Sequence, residues 1–249
     1  MATNTLGEWF ATPLGQYLLG KERAYLDDVT PDIFGYHAVQ LGLPEYDLLR
    51  ESRIAHRLRA APWGDVQLRA KGHELPIATQ SIDLALLPHV LEFADDPHAI
   101  VREIDRVMRP EGRLVILGFN PWSLWGLRSA MGFSRNAHPW NGRFNSLLRV
   151  KDWLALLGFD VSAGRLCCYV PPFDSDAWRR RFSFMDPAGD RWWAIGGAVY
   201  MLQAVKRVRG MRLITPAWQE KAAREKQLIA AAKREGHSKT AGHHLRIVK

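Results

Sequence analysis

HELPIATQSIDLALLPHVLEFADDPHAIVREIDRVMRPEGRLVILGFN, residues 73–120, is the stretch that decides the fold. Within it, residues 82–87 (IDLALL) are apolar at almost every position, as in a strand buried on both faces of a parallel sheet. Asp96-Pro97 then supplies a capping carboxylate and a proline at the first helical position. Ile100, Val101, Ile104, Val107 and Met108 recur at helical spacing, and Pro110-Glu111-Gly112 predicts the stop. Residues 113–119 (RLVILGF) read as a second buried strand. Strand, helix and strand, with a crossover of this length, predict a parallel pair.

The same reading extends outward in both directions. Residues 6–26 predict a helix whose apolar face holds Leu14, Tyr17, Leu18 and Leu19. A short buried strand is expected at residues 38–43. Weaker strands are expected at 54–60 and 66–70, on either side of the turn-prone Pro62-Trp63-Gly64-Asp65. Downstream, residues 150–157 carry Trp153, Leu156 and Leu157 at helical spacing, closed by Gly158. Two further strands, 159–170 and 198–207, flank an insertion rich in arginine and tryptophan over residues 174–193. Alternating elements that end in a strand pair give an α/β sheet with an antiparallel edge. The expected organisation is an N-terminal helical cap over residues 1–30, the α/β domain over 31–216 and a basic tail over 217–249. In that tail, residues 221–233 favour a helix and periodicity is lost after Gly236.

Composition narrows the function classes. The chain has 249 residues, 47% hydrophobic and 24% charged, the balance of a globular protein with a real core. Its best uncharged apolar run, residues 196–205, is far short of the roughly 18–20 residues that span a bilayer. Cys167 and Cys168 are adjacent, so no disulfide framework is expected and a reducing cytoplasm fits. The histidines lack metal-ligand spacing, so no metal site is expected. The net charge is +8, and residues 217–249 alone carry +5. That tail reads either as a solvated arm or as one that attracts a polyanion.

Residues 65–119 resemble the second half of a class I S-adenosylmethionine-dependent methyltransferase of the type 11 group. The resemblance lies in Leu75-Pro76 ahead of a strand, Asp83 at that strand's second position, and a helix of the form DP…REI.RV..P.G. Residues 150–160 (VKDWLALLGFD) are similar to the family's helix before its sixth strand, and residues 198–207 to its seventh strand. Gly35-Tyr36-His37 ahead of Val39-Gln40-Leu41-Gly42 is similar to small bacterial methyltransferase-like proteins with a shortened front half. The resemblance implies a Rossmann-like fold with a mostly parallel seven-stranded sheet, an antiparallel edge strand pair and a shortened front half. It also implies S-adenosylmethionine as cofactor and methyl transfer to an unidentified acceptor. In the family, an acidic residue and a glycine-rich turn follow the first strand. A second acid takes the ribose hydroxyls, and a third side chain, often Asp, contacts adenine.

The front half departs from that pattern. Gln40 stands at the first acid, Pro44 and Tyr46 at the second and third glycines, Arg59 near the ribose acid and Lys71 on the adenine side. Proline has no N–H and tyrosine is bulky, so the turn is not expected to cradle a ligand in the family's way. Only residues 43–52 remain for the first crossover helix. Residues 61–65 leave no room for the second, which makes the strands at 54–60 and 66–70 a candidate hairpin. The remaining candidate cofactor contacts are Gly42, His73, Glu74, Leu75, Pro88 and His89. His89 is also the candidate catalytic residue, because it follows a buried strand at its carboxyl end and imidazole titrates near neutrality. The plainer readings are a strand-end turn at Gly42, a surface acid at Glu74, corner packing at Leu75 and a satisfied core histidine at His89.

Residues 119–133 (FNPWSLWGLRSAMGF) read as a lid for an apolar small-molecule acceptor or a membrane surface, or as core. Arg179, Arg180 and Arg181 with Trp178, Phe182 and Phe184 offer phosphate contact and base stacking, or a basic helix face with its aromatics turned inward. The rival to an enzyme is a noncatalytic binding module of the same fold that contacts nucleic acid through its basic tail. A nicotinamide-dependent oxidoreductase ranks last, because the glycine fingerprint is missing.

Overall fold

The computed structural model describes residues 5–132, 137–173, 175–193 and 195–207, so the expected tail over 217–249 lies outside the described residues. The N-terminal apolar pattern forms two helices, α1 (Leu6–Phe10) and α2 (Pro13–Val29), rather than one. Pro13 sits at the start of α2, and the Thr12 hydroxyl accepts from the Gly15 N–H at 3.1 Å, which caps a new helix instead of continuing the old one.

The strands that follow are β1 (His37–Leu41), β2 (His56–Ala61), β3 (Leu68–Arg69) and β4 (Ile82–Pro88). Helix α3 (Pro97–Val107) leads into β5 (Met108–Phe119), and α4 (Leu124–Ala130) and α5 (Leu147–Leu156) come next. The chain continues through β6 (Phe159–Cys167), α6 (Asp176–Arg181), α7 (Met185–Trp192) and β7 (Val199–Lys206). One seven-stranded sheet results, in the order β3-β2-β1-β4-β5-β7-β6. β7 runs antiparallel to both β5 and β6, and the remaining pairs are parallel. This is the expected mostly parallel sheet with an antiparallel edge pair. The Asp96 cap forms as predicted, its carboxylate accepting from the Ala99 N–H at 3.0 Å. β5 starts earlier than expected, because Pro110-Glu111-Gly112 is carried inside the strand, with Glu111 at φ +63°.

Two expectations for the front half are corrected. β2 and β3 are parallel, not a hairpin. Only Ala60 and Ala61 pair with β3, so the chain must retrace about 7 Å at some 3.3 Å per residue, which a loop manages without a helix. The first crossover, residues 42–55, contains no helix at all. Its place on the sheet is taken by α1 and α2. Trp9, Phe10, Leu14, Leu18 and Leu26 pack with Leu48, Leu49 and Ile54 of that crossover against Ala38, Leu84, Leu86, Val115 and Leu117. The opposite face is covered by Ile100, Val101, Ile104, Val150 and Leu154 of α3 and α5, over Val39, Ala85, Leu87 and Ile116.

Since α2 provides the apolar cover for one sheet face, cutting into it should unsettle the whole domain. Leu18 is fully buried. Leu18→Ala is expected to lower unfolding stability by about 2–5 kcal/mol in a urea titration. A loss under about 1 kcal/mol would mean that α2 is a detachable appendage.

Candidate active site

The carboxyl ends of β1, β2, β3 and β4 open onto a cavity of about 910 Å³. Its walls are Leu41 to Glu45, Ala61 to Trp63, Lys71 to His73, Pro88 to Val90 and, from α3 and its approach, Asp95, Asp96, Ala99 and Ile100. Thr5, Leu6 and Gly7 close one side, with Phe93 and His138 on another. In open parallel sheets, ligands bind at this edge, outside the strand ends.

Gly42 is at φ +86°, and a Cβ there would come within 2.8 Å of Val90 Cγ2. Its N–H donates to the Ala60 carbonyl at 2.8 Å. Only glycine satisfies both the left-handed backbone and the close approach. The loop beyond it is held by Gln40, which is wholly buried. Gln40 Nε2 donates to the carbonyls of Gly42, Leu43 and Tyr46 at 2.8–3.1 Å, and its Oε1 accepts from the Leu48 N–H at 3.0 Å. A carboxylate could not donate to those carbonyls, which explains why an amide stands there. Arg59 adds a second clamp by donating to the Pro44 carbonyl at 2.8 Å. Tyr46 turns away from the cavity. Its ring meets Phe10 edge-on at 5.9 Å, and its hydroxyl reaches the Gly7 carbonyl at 3.4 Å. The loop is therefore built differently from a glycine-rich turn and still leaves the space open.

His89 borders the cavity through its position at the end of β4, but its side chain has no exposed surface. The imidazole lies between the rings of Phe119 (4.3 Å) and Phe10 (5.8 Å), and Nε2 is 2.6 Å from Glu22 Oε1 on α2, also wholly buried. Burial alone would lower its pKa, but the Glu22 carboxylate, by charge and by hydrogen bond, outweighs this and shifts it upward. Glu92 lies close by. Its Oε1 accepts from the Phe119 N–H at 2.7 Å, and burial pushes the carboxyl up to about 7, against the pull of His89 and that N–H. Glu22 and Glu92 had carried no signal as site residues.

Of the sequence candidates, Gly42, His73, Pro88 and His89 lie on the cavity. Glu74 is exposed and its backbone bridges to Lys71, while Leu75 packs in the core with its N–H donating to Glu103 at 2.8 Å. At the end of β2, where a ribose-binding acid was expected, Ala61, Pro62 and Trp63 line the wall.

Residues 46–116 match the Methyltransferase domain family. Over that segment the chain is similar to S-adenosylmethionine-dependent methyltransferases. Its fold is shared with the putative methyltransferase solved in complex with the Haloferax volcanii Trm112 activator (TM-score 0.59, 16% identity, 84% of this chain and 100% of that one). It is shared also with a possible histamine N-methyltransferase of Thermotoga maritima (TM-score 0.52, 16% identity, 77% and 97%). In sequence, the chain is 36% identical over 155 residues to the uncharacterized protein YafS of Escherichia coli K12, a match covering 61% of this chain and 65% of YafS. The cavity at the strand ends is thus bordered by a loop held through amide and guanidinium anchors.

Two predictions follow from these buried groups. Gln40→Glu places a charge among three carbonyls and is expected to cost about 3 kcal/mol or more in urea unfolding; a variant within about 0.5 kcal/mol of the parent contradicts the anchoring role. Glu92 and His89 both hold protons in the folded chain at pH values where the unfolded chain has released them. Stability should therefore fall as pH rises, for Glu92 from its ordinary 4.5 to about 7 and for His89 from 6.5 upward. Glu92→Gln is expected to make the decline between about pH 5 and 8 shallower, and an unchanged slope in urea titrations contradicts that assignment.

Proposed function

We propose that the protein binds S-adenosylmethionine in the cavity at the carboxyl ends of β1–β4 and transfers its methyl group to a small, mostly apolar acceptor. The observation that carries this reading is the open space of about 910 Å³ around Gly42, at the edge where ligands bind in this class of sheet. Small-molecule sites run from about 300 to 1,000 Å³, so a nucleoside with an amino-acid tail and a modest acceptor fit together. The carboxylates of Glu45, Asp95 and Asp96 lie on the wall and suit a ligand with cationic groups. Leu41, Ile100 and Phe93 supply apolar surface that excludes water.

When bound, the cofactor supplies an electrophilic methyl on a sulfonium. The transfer asks chiefly that the acceptor atom be held in line with it. Within this chain, the work falls on positioning. Gly42 allows close approach of the backbone, while His73 and Pro88 border the ligand. The Ala61-Pro62-Trp63 wall replaces the ribose carboxylate with packing. The Glu22–His89 pair holds the β4 end that carries Pro88.

Isothermal titration with S-adenosylhomocysteine tests the reading. Saturable one-site binding is expected. Gly42→Val, which sets a Cβ against Val90, and Ala99→Trp, which fills the cavity from the first turn of α3, should each weaken it by about tenfold or more. A flat titration, or one that both variants leave unchanged, contradicts it.

A further inference from the structure

Beside the cavity, the same edge of the sheet carries a rim of exposed apolar side chains. β5 ends there at Phe119, β6 ends there at Cys167, and β7 starts there at Val199. Trp122, Leu127 and Met131 follow β5 and are 76%, 54% and 53% exposed. Trp178, Trp192 and Ile195 lie between β6 and β7 and are 50%, 82% and 72% exposed. The two segments are tied together. Asn120 Nδ2 donates to the carbonyls of Ile195 and Gly197 at 2.8 and 2.9 Å, and Trp125 Nε1 donates to the Val170 carbonyl at 2.9 Å. Arg128 bonds the Pro172 carbonyl and lies 4.5 Å over the Trp140 ring, two residues from His138 on the cavity wall.

Exposed apolar surface on this scale marks a site of interaction, and the chemistry of the rim chooses the partner. Nucleobases would need free ring faces. Trp178 already stacks on Phe182 at 5.6 Å and 11°, with the Arg181 guanidinium 5.9 Å from the Trp178 ring centre. Leu127, Met131 and Ile195 have no ring to offer. Indoles and aliphatic chains with guanidiniums at their level are what a lipid interface takes: the apolar parts enter the acyl boundary, and the cations meet headgroup phosphates. Arg191 lies 5.8 Å from the Trp192 ring centre in the same manner as Arg181 over Trp178. The guanidiniums of Arg181 and Arg191 at this level complement an anionic surface.

We propose that this rim docks on bilayers containing anionic phospholipid. If the methyl-transfer reading holds, on which this second step rests, the acceptor is an amphiphile delivered from that bilayer to the adjoining cavity. The docking surface itself does not depend on cofactor binding, so the two ideas fail separately.

The full chain, incubated with phosphatidylcholine vesicles with and without phosphatidylglycerol, gives the test by co-sedimentation. Binding is expected with phosphatidylglycerol, and acyl-chain-brominated lipid should quench tryptophan emission. Trp122→Ser combined with Trp192→Ser and Ile195→Ser should weaken vesicle binding by about tenfold and remove most of the quenching, while titration with S-adenosylhomocysteine and thermal unfolding remain as in the parent. Arg181→Gln with Arg191→Gln, which leaves the apolar groups in place, should reduce the preference for phosphatidylglycerol. The proposal is overturned by absent vesicle binding, or by binding and quenching that survive the serine variant, which would place adsorption elsewhere on the chain. It is also overturned if the serine substitutions abolish binding of a single-stranded oligonucleotide or self-association while vesicle binding stays as in the parent.

Discussion

A carboxylate on the second helix and an imidazole at the end of the fourth strand, 2.6 Å apart and sealed from water, fasten the N-terminal segment to the sheet. Everything at the ligand edge depends on that attachment, because the segment between β1 and β2 forms no helix of its own to cover the sheet. Removing one member of such a pair leaves a charge buried without compensation, which costs about 3–5 kcal/mol. The pair explains why a helix from outside the crossover can serve as part of the core. Leu14, Leu18 and Leu26 supply apolar area, and Glu22 fixes where along the strand it is placed.

The loop after β1 shows how a path that a glycine-rich turn could take can be held by polar anchors instead. A glycine-rich turn follows its path because its backbone is permissive. Here the loop contains Pro44 and Tyr46 and follows its path because Gln40 and Arg59 hold its carbonyls. The first arrangement relies on conformational freedom and the second on hydrogen bonds. The cost of the second is a buried amide that tolerates no charge. The gain is a firm wall for the cavity beside Gly42.

The sequence made the back half of the fold legible because periodicity and caps there agree with one another. Asp96, Pro97 and the apolar run of β4 each point to the same strand, helix and strand, and the sheet has them. The front half was less legible. β3 pairs through two residues, too few for any periodicity, so its direction could not be read from pattern. The role of α1 and α2 was hidden as well, since an apolar helix face does not say which surface it covers. Of the sequence candidates, Gly42, Pro88 and His89 lie on the cavity because they end or follow strands, and His73 reaches it from the loop after β3. Gln40 was seen only as a missing acid, because the carbonyls it serves come together in the folded loop alone. Glu22 is remote in sequence from its partner, and only the fold brings the two into contact.

The central proposal is that the N-terminal helices and the Gln40-anchored loop hold open the cavity proposed to take the cofactor. A crystal structure of the chain grown with S-adenosylhomocysteine tests it most directly. The account predicts the nucleoside lying between Gly42, Trp63 and His73, with residues 42–48 in the same path and Glu22 still paired to His89. A loop collapsed into that space, with the nucleoside excluded or bound elsewhere, would contradict it.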